Sequence, residues 1–223
     1  MKNRSSPIHV RVSGPFALFT RPEMKVERVS YDLITPSAAR GILEAVLWKP
    51  AMRWIIQKIT VLKPIRFLAF KRNEVATKIP SDFVTWANRN GGARTFFADD
   101  DRQQRNAVIL RDVEYVVEAV LELTDDAGPD ENVAKFVEIF RRRVEKGQHF
   151  HQPYLGCREF PAAVELGDGS ETPDAGLLGG ENDLGWMLHD VEYEAGKPKG
   201  SRFFHAVMRD GRVEVPPWKE VDP

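Results

Sequence analysis

Apolar and polar residues alternate along several stretches of the chain with the period of a half-buried strand. Residues 8–19 begin with this pattern, which predicts a first strand. The run 52–70 is rich in β-branched residues and predicts a long second strand with a bend at Pro64. Residues 108–124 predict a third strand, and a fourth is expected within 153–166.

Two other stretches repeat apolar residues at helical spacing. The first, 36–48, opens with Thr35 as a capping residue beside Pro36, which suits the first turn of a helix. The second is expected to begin with Asp130 as its cap and to stop at Gly147. The order strand, helix, strand, strand, helix, strand is that of an α+β, ferredoxin-like (RRM-like) fold.

The rest of the chain falls outside this pattern. Residues 71–106 are polar and predict a long loop inserted into the domain. An acidic, Gly-rich break follows at 167–183, and beyond it lie further strands, two of them joined by the hairpin signal Asp210-Gly211. We therefore expect a ferredoxin-like domain over 1–166 and a small C-terminal β extension over 167–223.

Charge is distributed unevenly although the net charge is only −1. Lys and Arg concentrate in 21–78 and 102–158, and acids in 164–194, so one part of the chain can present a basic surface. The only cysteine, Cys157, has no internal disulfide partner, and zinc-finger spacings of Cys and His are absent from the sequence. The N-terminus lacks a secretory signal pattern, which predicts a cytoplasmic protein with no membrane association.

The loop between the second helix and the fourth strand is the first candidate site. Gly147 and Gly156 would let backbone amides approach a phosphate, and Arg158 could pair with one. His149 and His151 could exchange protons. The alternative is an ordinary connecting loop with solvated histidines.

Two further groups of basic residues are candidates for binding a nucleic-acid backbone. One is a ridge on the second helix and the other is the segment RPEMKVERVSYD, which adds an aromatic ring suited to base stacking. Each could equally be a solvated surface. The residues concerned are Lys135 with Arg141, Arg142 and Arg143 on the second helix, and Arg21, Lys25, Arg28 and Tyr31 in the segment.

Several strings of the sequence, in order and across nearly the whole chain, resemble one family. They are FTRPEMKVERVSYDLITPSAARGILEAVLWKP, RNEV followed by KIP, RQQRNAVILRDVEY, EIFRRR, YLGCREFPA and DLGWML. This chain is similar to the subtype d Cas-five proteins of type I-C CRISPR systems, members of the RAMP superfamily. The resemblance implies a ferredoxin-like domain with a Gly-rich loop near 147–156.

The same resemblance implies an activity and partners. It predicts a subunit of the type I-C Cascade complex that binds the CRISPR repeat RNA hairpin, cuts the precursor without a metal or other cofactor, and stays on the 5′ handle. The other Cascade subunits are the expected protein partners. Double-stranded DNA is a further partner that the resemblance leaves open.

The family's catalytic pattern is only partly present. It has a Tyr or His just before Trp-Lys-Pro at the end of the first helix, where this chain has Leu47, and a Lys-His pair on the second helix, where it has Lys135-Phe136. Neither replacement exchanges protons. The resemblance thus carries over Lys135 as the catalytic cation and Lys49 of Trp-Lys-Pro as an RNA contact, and we expect His149 or His151 to supply the base.

Two other functions remain open from the sequence. The missing Tyr/His and His favour a catalytically silent RNA-binding scaffold. A DNA-binding or metal-dependent nuclease would instead need carboxylates such as Asp32, Glu44 and Glu159 to gather a divalent ion, although no spacing specifies such a site.

Overall fold

The computed structural model describes residues 3–24, 26–77, 82–90, 97–174, 178–194 and 197–221. Within these ranges the chain forms nine strands and three α-helices. The strands are β1 Ile8–Ala17, β2 Arg28–Val29, β3 Met52–Val61, β4 Phe67–Val75, β5 Arg102–Leu123, β6 Ala163–Leu166, β7 Glu181–Glu194, β8 Lys197–Arg209 and β9 Arg212–Glu214. The helices are α1 Pro36–Val46, α2 Phe83–Asn90 and α3 Val133–Glu145.

Both long helices begin at capped positions. The Thr35 hydroxyl accepts a hydrogen bond from the Ala38 amide, and Pro36 occupies the first turn, as predicted for α1. At α3 the cap is Asn132, whose side chain accepts from the Lys135 amide at 2.9 Å. The prediction of Asp130 as the cap is therefore wrong, because it lies too far upstream to reach the free amides of the first turn.

All nine strands belong to one sheet, in the order β6-β1-β5-β3-β9-β8-β7, with β2 and β4 also paired to β5. Every pairing is antiparallel except that between β2 and β5. The molecule is thus mostly strands in an antiparallel sheet, with a few helices. β5 organises it, since its first half pairs with β4 and its second half pairs with β1 and β3.

The predicted bend of the second strand is present as a break. Pairing along β5 stops between Val61 and Phe67, around Pro64, and resumes in β4. Proline lacks the amide hydrogen that a continuous ladder needs, which explains the interruption.

Residues 71–106 were expected to form a loop. Much of their described part instead belongs to a two-stranded arm, formed by β4 and the first part of β5. β4 pairs residue by residue with 102–110, and α2 lies between the two strands in sequence. Most side chains of β4 are exposed or half-buried. The strands were missed because a ribbon exposed on both faces lacks the apolar alternation that marks a half-buried strand.

The C-terminal strands extend the same sheet. The turn at Asp210-Gly211 is confirmed, with positive φ of 46° and 73° at the two residues, and β9 then pairs with β3. The Arg40 guanidinium on α1 donates to both carboxylate oxygens of Asp190 on β7, at 2.7 and 2.8 Å. This bidentate ion pair holds the β7–β8 hairpin against α1.

The two faces of the central strands differ in character. One face is buried, where Val10, Ile59 and Val117 pack in the same core as Phe136 and Phe140 of α3. The opposite face carries ion pairs. They join Arg11 to Glu114, and Arg4 and Arg53 to Glu122, while the His9 ring lies 3.2 Å from Glu118.

The described helices are also informative about membranes. None of them is long and apolar enough to span a bilayer.

Candidate functional site

The loop that follows α3 joins the C-terminal ends of α1 and α3. The amide of Phe150 donates to the carbonyl of Ala45 at 2.8 Å, and the Arg143 guanidinium donates to the carbonyl of Val46, also at 2.8 Å. These bonds satisfy carbonyls that the last turn of α1 leaves free. They bring His149 and His151 beside the end of α1, in a surface we call the helix-end junction, formed by residues 45–49 and 142–151.

The helix-end junction exposes aromatic rings and cations together. Trp48 is 55% exposed and Phe150 is 89% exposed. Lys49, Arg142 and Lys146 are exposed, and none of them forms an ion pair within the described residues. Free cations beside exposed rings suit a single-stranded nucleic acid, whose phosphates and bases they contact respectively.

Both predicted histidines belong to this surface. His149 and His151 are exposed, and the His151 ring lies 6.1 Å from the Phe150 ring in an edge-on arrangement. An imidazole open to solvent can take up and release protons. The junction thus places two proton-exchanging groups in the segment that also carries the free cations.

The two glycines of the loop have different tasks. A Cβ on Gly156, whose φ is +84°, would lie 2.0 Å from the backbone oxygen of Leu18, so this glycine permits close contact with the end of β1. Gly156 is thus required for packing against Leu18, and its predicted place at a phosphate stays a prediction. Gly147 has φ +61° and open space where its Cβ would stand, so its predicted place at a phosphate stays a prediction.

The two departures from the family's catalytic pattern are core residues. Leu47 is 1% exposed, and its carbonyl accepts a hydrogen bond from the Trp54 indole. Phe136 is 2% exposed and lies in the main core. Both positions face the protein interior, which explains why apolar side chains are stable there.

Lys135 lies apart from the histidines. It is exposed in the first turn of α3, and the helix from Lys135 to Glu145 rises about 15 Å before the loop that carries the histidines begins. Lys135 thus lies near the start of α3, whereas the histidines follow its end. Their predicted joint action at one phosphate stays a prediction.

The arginines of the basic ridge on α3 also lie on two different surfaces. Arg142 belongs to the helix-end junction, whereas Arg141 lines a separate cleft of about 340 Å³ near the start of β1. This cleft also includes His9, Glu145 and Asp168. Neighbouring helix positions point about 100° apart, so the two arginines serve different surfaces.

Two of the predicted residues in the segment 21–31, Arg21 and Tyr31, are more buried than expected. The prediction that the Tyr31 ring stacks on a base is wrong, because the ring is 2% exposed and the Arg21 guanidinium covers it at 4.5 Å. Burial raises the pKa of the Tyr31 hydroxyl. Arg21 also donates to Asp32 at 2.7 Å, while Lys25 lies outside the described residues.

A second basic region lies where the arm meets the loop around Gly156. Arg28, Arg72 and Arg105 all approach the carboxylate of Glu74, and Arg72 also pairs with Glu159, so three cations face two acids. Arg158 is exposed nearby, next to Cys157, whose pKa is raised by burial. We call this group the arm-base cluster.

The carboxylates considered for a metal ion do not meet. Each of the three bonds to a different arginine, and in the part of the chain that the structure describes no group of three His, Cys, Asp or Glu residues could hold a metal. The pairs are Asp32 with Arg21, Glu44 with Arg40, and Glu159 with Arg72.

Several residues of these surfaces were not predicted from the sequence. Trp48, Phe150 and Lys146 of the junction and Arg72 and Arg105 of the arm-base cluster had no distinguishing pattern. Trp48 follows Leu47, the C-cap of a helix that is apolar on its buried side, so only its place beyond the last helical residue, Val46, could have marked it as exposed.

Comparison with known proteins places these features in context. The family Cas_Cas5d, described as CRISPR-associated protein (Cas_Cas5), matches residues 8–216. A protein of Mannheimia succiniciproducens named CRISPR pre-crRNA endoribonuclease Cas5d is 50% identical over 223 residues, 98% of this chain and 97% of that protein. The protein of the same name from Thermus thermophilus is 43% identical over 94% of this chain and 91% of its own length.

Solved structures include a similar fold. The crystal structure of a CRISPR-associated protein aligns with a TM-score of 0.71 and 25% identity, covering 99% of this chain and 96% of that one. The overall fold is therefore similar to that of this CRISPR-associated protein over nearly the whole chain.

Proposed function

The chain belongs to the Cas_Cas5d family of CRISPR-associated proteins, and from this premise we propose that it binds CRISPR repeat RNA and cleaves the precursor at the helix-end junction. The observation that carries the proposal is the group of free cations, exposed rings and two histidines gathered there. The cleaved RNA stays bound to the protein through its 5′ handle, and the protein acts in a type I-C surveillance complex with other Cascade subunits.

RNA binding at the junction combines two kinds of contact. Lys49, Arg142 and Lys146 neutralise phosphates, and unpaired bases next to the hairpin stack on Trp48 and Phe150. The paired stem is recognised mainly by its shape, because the narrow A-form major groove hides the base edges.

The cleavage mechanism needs no cofactor. His149 or His151 accepts the proton of the RNA 2′-hydroxyl, and the 2′-oxygen bonds to the adjacent phosphorus. The bond from phosphorus to the 5′-oxygen then breaks, and that oxygen takes a proton from an imidazolium or from water. Lys49 and Arg142 stabilise the extra negative charge on the phosphoryl oxygens in the transition state. The products are a 2′,3′-cyclic phosphate and a 5′-hydroxyl.

The remaining basic residues extend the RNA path beyond the junction. Lys135, Arg141 and the arm-base cluster with Arg158 lie on other surfaces, where they contact phosphates away from the cut. Arg21, already bound to Asp32, and Lys25 are assigned to the same outlying role. Lys135 matches the family's catalytic lysine, so it is also the competing candidate for the reacting centre.

The architecture supports the assignment to the RAMP superfamily. We infer that β1, α1, β3, β5, α3 and β6 form the ferredoxin-like unit, since their strands stand in the order β6-β1-β5-β3 with the split βαβ connection. Residues 1–166 are the RAMP domain, from which the arm projects, and 167–223 are the C-terminal β extension.

RNA affinity is expected to depend on the cations of the junction. Lys49→Ala and Arg142→Ala should each weaken binding of the repeat hairpin and lower the slope of log affinity against log salt by about one, because each removes one phosphate contact. Arg53→Ala is the matched control, since this exposed arginine is paired to Glu122 on the opposite sheet face. Fluorescence anisotropy over a salt series measures the effect. If log affinity falls with log salt as steeply in Lys49→Ala and Arg142→Ala as in the unmodified protein, the placement of RNA phosphates at these residues is contradicted.

The burial of Leu47 and Phe136 favours one alternative, a catalytically silent scaffold on the same RNA. Both functions predict the binding results above. Cutting of the cognate repeat RNA in a chelator separates them, because only the enzyme produces fragments.

A further inference from the structure

The C-terminal hairpin carries a cleft of its own, separate from the helix-end junction. It measures about 520 Å³ and lies between β8 and the segment that follows β9. Trp186 at its edge is 55% exposed and meets the His205 ring edge-on at 5.9 Å. The lining also includes Phe203, Val215, Pro216, Pro217 and Glu220.

The walls of this cleft are held in place by contacts around it. The His189 ring bonds to the carbonyl of Pro216 at 2.9 Å, and the same ring packs edge-on against Trp218. The Arg202 guanidinium lies 4.9 Å from the centre of the Trp218 ring. A cleft with fixed walls loses little conformational entropy when it binds.

The cleft is acidic, unlike the surfaces assigned to RNA. Glu214 and Glu220 both line it. The Lys58 ammonium lies 3.5 Å from Glu214, whereas Glu220 has no ion-pair partner within the described residues. Asp183 lies beside it, 3.2 Å from His205. Negative potential of this kind repels phosphates and attracts cationic groups.

We infer that this cleft docks a basic segment of a protein partner, with an arginine or lysine side chain inserted between the Trp186 ring and the Glu220 carboxylate. The ring face attracts the cation and the carboxylate pairs with it. The apolar wall of Phe203, Pro216 and Pro217 accommodates the methylene stem of the same side chain. The protein thus has an acidic face for protein in addition to its basic surfaces for RNA, and this inference stands independently of catalysis.

The test uses the full chain and a defined probe. The probe is a synthetic peptide of alternating glycine and arginine, and its control is the same peptide with citrulline, which keeps the shape and removes the charge. Titration is followed through the indole N–H signal of Trp186 in a nitrogen-15 spectrum, assigned with Trp186→Phe. We expect saturable shifts with the arginine peptide only. Absence of such shifts at millimolar peptide, or equal shifts with citrulline, would overturn the inference.

Variants then locate the binding. Affinity for the arginine peptide, measured by calorimetry, should fall about tenfold in Trp186→Ala and several-fold in Glu220→Gln. Tyr193→Ala and Glu181→Gln are matched controls, because both are exposed residues of β7 outside the cleft lining. Equal losses in the controls would mean diffuse attraction and would refute a site.

Two other occupants are outcomes of the same experiment. Shifts of the Trp186 signal by repeat RNA, with loss of RNA affinity in Trp186→Ala, would assign the cleft to RNA instead. A concentration-dependent shift without any ligand, with a dimer in sedimentation, would assign it to a second copy of the chain. Either result would overturn the inference of a basic protein segment.

Discussion

Replacing Gly156 by alanine should destabilise the protein by about 3 to 4 kcal/mol, since it adds a steric clash to an unfavourable backbone conformation. The new Cβ would stand 2.0 Å from the Leu18 carbonyl oxygen, at a residue with φ +84°. The backbone of Leu18 cannot move easily, because its amide donates to the carbonyl of Leu155 at 3.0 Å. Urea denaturation followed by circular dichroism measures the change.

Gly147→Ala is the control for that result. Its φ of +61° is also in the left-handed region, but a Cβ there would meet open space. We expect a loss of about 1 kcal/mol, which is the conformational cost alone. Equal losses in the two variants would show that contact with Leu18 is not what requires glycine at position 156.

The double substitution His149→Ala with His151→Ala should slow cleavage of repeat RNA by about 10²- to 10⁴-fold, because it removes the only proposed general base. Binding should change little, since the cations and rings of the junction remain. Single-turnover cleavage and anisotropy with the same RNA separate the two effects. His205→Ala, on the C-terminal hairpin, is the matched control and should cleave normally.

Lys135→Ala tests where the reacting phosphate lies. If the junction holds it, this variant should lose some affinity and keep nearly all of its single-turnover rate. A loss of rate greater than that of the double histidine variant would move the reacting centre to the start of α3.

Local chemistry allowed part of the fold to be predicted. Thr35 and Pro36 mark the start of α1 because capping depends on neighbours in sequence, and the Asp210-Gly211 turn follows from the same kind of local rule. The arm of β4 and β5 was not predicted, because its strands are exposed on both faces. Their sequence therefore lacks the alternation of apolar and polar residues that marks a half-buried strand.

The candidate site was predictable only as a set of residue types. His149 and His151 stood out as titratable residues in a Gly-containing loop, but their position beside α1 depends on the bond from Phe150 to Ala45, which joins distant parts of the sequence. Tyr31 shows the opposite error. It ends a segment rich in charged residues, and only the tertiary structure reveals that its ring is buried under Arg21.

The central claim is that this protein cuts RNA by attack of a 2′-hydroxyl, and incubation of the unmodified protein with its end-labelled cognate repeat RNA in excess chelator tests it most directly. We predict one cut in the repeat, a 2′,3′-cyclic phosphate and a 5′-hydroxyl at the ends, and no cut when the 2′-hydroxyl at that nucleotide is replaced by hydrogen. RNA that binds but stays intact in chelator, or a cut that survives the 2′-deoxy replacement, would contradict the account.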